Sequence, residues 1–285
     1  MMRLRFGLFA LFAVLCVAAC GGTASEAFPD DAFTVVASAD VGVGPNRLLV
    51  GVVSPDGSRL GGPDQRIDVV ITPSGGEEDP VRAAGEWTWI LEGAIGLYRT
   101  ELQISRAGLW EIAAIPDGGS ALASSVFEVR ERTATPGIGD PAPSVATPTL
   151  SDASIEELTT DPEPDLRFYE LSLDEALASG RATVLVFSTP AYCVTAACGP
   201  LLEIVKDTAP NYPNVDFVHV EVYTGLTDPD FAPDAAHLAP SLGPDYWNLP
   251  SEPWVFVMDA QGIVHAKFEG VLGSEELDAA LAGIA

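Results

Sequence analysis

Positive charge is what this chain has least of. Against 41 Asp and Glu it carries 14 Lys and Arg, and the formal net charge is −27 over 285 residues. A chain so short of cations cannot neutralise phosphates, which excludes a nucleic-acid binder. An acidic surface keeps a protein soluble and repels anionic lipid without naming a partner. Soft ligands are scarce as well: residues 21–192 contain no His, Cys or Met, which excludes a soft-metal site there. The apolar run at 6–17 is too short for a comfortable membrane span, and no other stretch reaches that length. What is present is enough for a core. Hydrophobic residues make up 47% of the chain, and the length suits two modest domains.

The four cysteines, Cys16, Cys20, Cys193 and Cys198, fall into two groups. Arg3 and Arg5 form a charged start, the apolar run follows, and the segment ends in Val17-Ala18-Ala19-Cys20. This resembles the bacterial lipobox, in which small residues let the peptidase grip an extended chain and the thiol accepts the lipid. The resemblance implies a signal peptide at 1–19, lipidation of Cys20, and a mature protein on the extracytoplasmic face of the cell membrane. Residues 20–32 read as a tether. Only Cys193 and Cys198 then remain as thiols, in a compartment where a disulfide persists.

Residues 33–131 read as an all-β sandwich. About seven short β-branched or alternating segments are separated by turn residues every ten or so positions. The pattern Gly96-Leu97-Tyr98, then Ala107-Gly108-Leu109-Trp110, resembles small immunoglobulin-like domains in which the later tryptophan is a core residue. Trp87 and Trp89 share one strand face, which reads as core packing. With scattered acids and no soft ligands, this domain reads as a spacer or docking module.

Residues 132–164 hold prolines at 136, 141, 143, 148, 162 and 164 and read as an extended linker. Ser154 and Glu157 have capping-box spacing, as do Ser172 and Glu175. Residues 165–285 read as an α/β domain: a strand at 166–171, a short helix closed by Gly180, and a buried central strand at 183–187. After the cysteines come a helix, a strand at 215–223, another at 254–258, a terminal hairpin and a helix capped by Ser274.

Two cysteines stand where the central strand gives way to helical spacing. A thiol at a helix N-terminus faces unpaired N–H groups and the positive end of the dipole, which favours the thiolate that attacks disulfides. The order of elements, Tyr192 before Cys193, Pro200 in the following helix, Glu252-Pro253-Trp254 leading into a strand, and the Asp259–Gly262 turn together make residues 165–285 similar to the thioredoxin superfamily. That resemblance implies Cys193 as the attacking thiol and Cys198 as the resolving one, with a disulfide between them. It also implies Tyr192, Glu252, Pro253 and Trp254 at the substrate, with Pro253 following a cis peptide bond that leaves neighbouring backbone groups free for a client strand. The implied activity is thiol–disulfide exchange on exported proteins, coupled to a membrane electron donor or acceptor, with no cofactor. Glu221, at a strand end on the side where open α/β sheets place their sites, is a possible proton relay.

The spacing departs from that family, which separates its cysteines by two residues; here there are four. Three positions along a helix keep two side chains on one face, whereas five set them roughly 140° apart. The sulfurs therefore meet only if the first turn is loosened or Cys193 precedes the helix. A second register sets Cys198-Gly199-Pro200 against the family's Cys-Gly-Pro. One peroxiredoxin subgroup has Thr-Pro-x-Cys and then four residues before a second Cys, but Thr189 stands four positions before Cys193, one too many. Two other functions stay open. Copper delivery would use Cys193, Cys198 and His237, the last in a long proline-rich loop. A non-catalytic binding module would keep the disulfide only as a staple.

Overall fold

A computed structural model of the chain describes residues 27–75 and 79–284. The proposed signal peptide, Cys20 and part of the tether lie outside the described residues. The N-terminal unit is built of β1 (Phe33–Val36), β2 (Gly44–Val53), β3 (Arg59–Leu60), β4 (Ile67–Pro73), β5 (Val81–Leu91), β6 (Ile95–Ile104), β7 (Gly108–Pro116) and β8 (Ser125–Val129). Strict alternation of buried and partly exposed residues along β4 shows why these segments are strands with one face on a core. They form one sheet in the order β1-β2-β6-β5-β4-β7-β8, with the short β3 beside β2.

The all-β reading holds, but the strands make a single continuous sheet. The reason is β5, whose residues 81–85 pair with β4 while residues 86–91 pair with β6. Gly85 sits at the change of partner, where a Cβ would come within 2.7 Å of Ile67 Cγ1. Parallel bridges from Phe33 to Ala123 and from Gly42 to Arg130 join the two ends, so the sheet curls almost closed. Trp110 is fully buried inside it, its Nε1 donating to the Arg106 carbonyl at 3.1 Å. Trp87 packs edge-on against Tyr98 at 5.1 Å and belongs to the wall of this core.

The C-terminal unit holds a four-stranded mixed sheet in the order β10-β9-β11-β12. Its strands are β9 (Thr183–Ser188), β10 (Asp216–Glu221), β11 (Trp254–Met258) and β12 (Val264–Glu269). β9 and β10 run parallel, and β11 is antiparallel to both of its neighbours. Every residue of β9 is buried, as a continuous apolar run with both faces covered demands. Helices α3 (Cys198–Thr208) and α4 (Ser274–Leu281) cover one face, where Leu201, Val205 and Leu277 meet Val184, Val186 and Val255. Helix α2 (Leu173–Ala178) and Trp247 cover the other, against Leu185, Phe187 and Phe256. A single turn, α1 (Ile155–Leu158), and α2 both start with the predicted Ser–Glu pairing: Glu157 accepts from the Ser154 N–H at 2.9 Å, and Glu175 from the Ser172 N–H at 3.0 Å. The cap of α4 is Gly273, one residue before the expected Ser274.

Two sequence expectations are corrected. The strand expected at 166–171 is a 3-10 turn, Leu166–Tyr169, started by Asp165, whose carboxylate accepts from the Arg167 N–H at 3.1 Å. The turn lets consecutive residues face one way. Phe168 stacks on Phe217 at 5.4 Å while Tyr169 meets His219 at 5.6 Å, and a strand would have sent them to opposite faces. The proline-rich stretch at 132–164 is extended in part, with α1 near its end, and it is packed onto the C-terminal unit. Gly139 and Ala142 donate to the carbonyls of Val264 and Gly262 at 2.8 Å each, and the Asp140 carbonyl accepts from Val264 at 2.9 Å. Prolines lie well on such a sheet edge, where not every N–H is needed. Farther on, Val145 packs against one core, and Ile155 and Leu158 against the other.

The two units touch. Leu49 and Leu97 of the β unit bury Val271, and the Arg47 guanidinium makes two bonds to the Glu276 carboxylate, at 2.7 and 3.0 Å. Arg99 adds a third contact at 2.6 Å. Burial pushes the Glu276 carboxyl up, but the two guanidiniums outweigh it and hold it below the usual carboxylate range.

Candidate functional site

β9 and β10 end together, with Ser188 paired to Glu221 across the parallel ladder. The chain leaves β9 through Thr189-Pro190 and enters a turn that carries the first cysteine. Cys193 and Cys198 form a disulfide with their Cα atoms 5.9 Å apart. The four-residue spacing is accommodated outside the helix. Ala196 adopts a left-handed backbone at φ 61°, and α3 begins only at Cys198. Cys193 therefore precedes the helix and its sulfur lies over the helix start, accepting from the Cys198 N–H at 3.2 Å. Its other neighbour is the Thr195 hydroxyl, 3.4 Å away. Cys193 is partly exposed and Cys198 is completely buried. An incoming group reaches Cys193 and not Cys198.

Beneath the turn is a polar network that the sequence did not reveal. His219 on β10 is buried, with Nδ1 2.7 Å from the Tyr169 hydroxyl and Nε2 2.8 Å from the Ser188 hydroxyl and 3.2 Å from its carbonyl. A carbonyl only accepts, so Nε2 carries the proton and Tyr169 donates to Nδ1. Burial pushes the imidazole down to about 4, which keeps it neutral at neutral pH. Lys206 of α3 reaches Asp161 at 2.7 Å and the Glu163 carbonyl at 2.8 Å. Burial pulls Lys206 down, but its bonds to Asp161 and Glu203 prevail and hold it above the ordinary lysine range.

Glu221 is buried at the end of β10. Its Oε2 accepts from both the N–H and the hydroxyl of Thr160 at 2.8 Å, and its Oε1 from the Val222 N–H at 3.1 Å. Burial pushes this carboxyl up, against the donors around it. The same Thr160 hydroxyl accepts from the Ala191 N–H at 3.1 Å, two residues before Cys193. The chain of bonds from Glu221 thus ends on a backbone amide that does not titrate. Through Thr160, Glu221 is anchored to the cysteine turn.

On the other side of β9, Trp254 is paired with Phe187, so Pro253 stands beside the last residues of β9. The Glu252–Pro253 peptide bond is cis. The Pro253 carbonyl accepts from Gly270 N–H at 2.9 Å. Among the described residues the Glu252 N–H and carbonyl make no backbone hydrogen bond. Trp254, expected at the substrate surface, is a core residue: 2% exposed, stacked on Phe256, with Nε1 bonded to the Ser251 hydroxyl at 3.1 Å. Its position in β11 sends the side chain inward. Tyr192 is exposed and leans on Phe231 at 5.3 Å and Tyr223 at 6.1 Å, so the long loop after β10 does reach the cysteine turn.

His237 lies in that loop. Its Nδ1 is 2.9 Å from Asp234 and its ring is edge-on to Phe231. No group of three or more His, Cys, Asp or Glu placed to hold a metal occurs among the described residues. No protein-family model matches the chain, and no curated protein matches it closely enough to count as a relative.

Proposed function

We propose that this protein is a membrane-anchored, extracytoplasmic thiol–disulfide oxidoreductase whose C-terminal unit is thioredoxin-like. In this reading the Cys193–Cys198 pair exchanges electrons with exported proteins and with a membrane donor or acceptor, and lipid on Cys20 holds it at the membrane. The observation that carries the reading is the unequal setting of the two sulfurs. Cys193 is reachable and sits against the first N–H of an 11-residue helix, while Cys198 is enclosed. The β10-β9-β11-β12 order and the cis bond before Pro253 support the fold assignment.

The chemistry balances as a two-electron exchange. A client thiolate attacks Cys193 Sγ, the Cys193–Cys198 bond breaks, and Cys198 leaves as the thiolate. A second client thiolate then attacks the client sulfur of the mixed disulfide and releases Cys193, so the client is oxidised and the pair reduced. Run backwards, the same steps reduce a client. The helix N-terminus favours the Cys193 thiolate in both directions, and the unpaired Glu252 backbone offers an extended client segment one N–H and one carbonyl.

A redox titration with thiol trapping tests this. A reversible Cys193–Cys198 couple in the range of known oxidoreductases, about −120 to −270 mV, is expected. A potential below about −300 mV would mark a static staple and reduce the protein to a binding module.

A further inference from the structure

Three side chains tie the loop before β11 to the other half of the molecule. The Glu269 carboxylate, at the end of β12, accepts from the Ala39 N–H of the β unit at 2.9 Å through Oε1 and 3.1 Å through Oε2. The same Oε1 accepts from the Ser251 hydroxyl at 2.7 Å, and that hydroxyl accepts from Trp254 Nε1 at 3.1 Å. Ser251 stands two residues before Pro253. A second tie lies alongside, where Asn248 Nδ2 donates to the Ala134 carbonyl at 3.1 Å. Ala134 and Thr135 are themselves fixed by Asp40, whose carboxylate accepts from their N–H groups at 2.7 and 3.0 Å.

We infer that Glu269 is a positioning residue: it uses the β unit to fix the Ser251–Pro253 loop, and so makes that unit part of the client-binding edge. A loop at the end of a strand is held by few contacts of its own. The Glu252 backbone can meet a client only if the segment on either side of it is fixed, and order supplied before binding lowers the cost of binding. Pro253 is fixed from the C-terminal unit through Gly270. Ser251 is fixed through Glu269, and Glu269 is in turn satisfied by a donor that only the β unit supplies. Burial pushes the Glu269 carboxyl up, so the Ser251 and Ala39 donors are what make a carboxylate tolerable there.

This inference rests on the exchange reading, and the test separates the two. The full chain and its variants are compared in reaction with dithiothreitol and with a synthetic reduced two-cysteine peptide. Dithiothreitol needs only the disulfide; the peptide also needs the edge. In Glu269→Leu the KM for the peptide is expected to rise about five- to tenfold, the worth of one lost hydrogen bond, with the dithiothreitol rate unchanged within about twofold. Glu269→Gln should restore most of the wild-type KM, because a single amide oxygen at the Oε1 position can still accept from both Ala39 and Ser251. Ser251→Ala, which keeps the Ala39 contact, should raise KM without disturbing the interface, and it carries the test if Glu269→Leu does not fold. An unchanged peptide KM in Ser251→Ala, or equal losses towards both reductants, overturns the inference and leaves the exchange reading intact. A wild-type chain inert to both reductants would sink the exchange reading and this role with it.

Discussion

Cys193 Sγ and the Cys198 backbone nitrogen stand 3.2 Å apart, with the nitrogen belonging to the first residue of α3. The pair is thus split by the helix start, one sulfur outside and receiving an N–H, the other within the first turn and enclosed. In the reduced protein this arrangement should give unequal thiols. Cys193 is expected to alkylate at least about tenfold faster than Cys198 at neutral pH, because the attacking species is the thiolate and access is one-sided. Timed iodoacetamide labelling with peptide mass analysis reads the ratio, and equal rates would show that the sulfurs do not keep these settings once reduced.

Thr160 joins Glu221 to the cysteine turn through Ala191. Since that route ends on an amide, Glu221→Gln should leave the pH profile of Cys193 alkylation within about twofold of wild type. Thr160→Val removes the hydroxyl that serves both neighbours. It should cost about 1–3 kcal/mol, as the loss of a buried hydrogen-bonding partner usually does, and should speed hydrogen exchange at Ala191. A shifted alkylation profile in Glu221→Gln would instead support a proton-relay role for that carboxylate.

His219 makes stability depend on pH. Its folded value, about 4, lies below that of a free imidazole because the ring is buried. The unfolded chain therefore binds this proton first, so the stabilisation is complete above about pH 6.5 and is lost as pH falls towards 4. The loss should be on the order of 3 kcal/mol. Urea unfolding at several pH values in wild type and in His219→Asn checks this: the variant should be less stable at neutral pH and lose less on acidification.

Glu276 faces two guanidiniums, Arg47 and Arg99, between the units. Glu276→Ala leaves Arg47 without a carboxylate in a largely buried setting, while Arg99 keeps Glu86, and should cost roughly 2–4 kcal/mol of interface stability. Calorimetry is expected to show one cooperative transition for wild type and two for the variant. Because its folded pKa is depressed, the contribution of Glu276 is present above the normal glutamate value and fades as pH falls through that range.

Much of this was legible from local pattern. The alternation in β4, the unbroken apolar run of β9, the Ser–Glu caps of α1 and α2, and the position of the two cysteines are all short-range signals. The failures were of another kind. Residues 166–169 have a strand-like composition, but a cap at Asp165 and two aromatic partners on β10 fold them into a turn. Trp254, expected at the substrate from its place beside Pro253, has its side chain in the core through the register of β11. The proline-rich stretch has a linker's composition, yet a free sheet edge and two apolar cores were there to receive it.

By itself the sequence determined where most strands and helices form and that two cysteines stand at the end of the central strand, because periodicity, capping and chain direction act over a few residues. Only the tertiary structure decided that Cys193 lies ahead of the helix, that His219 meets Tyr169 and Ser188, and that Ala39 meets Glu269 across 230 positions of chain. Such contacts depend on which buried donor finds which acceptor once both units are packed, and no local pattern records that choice.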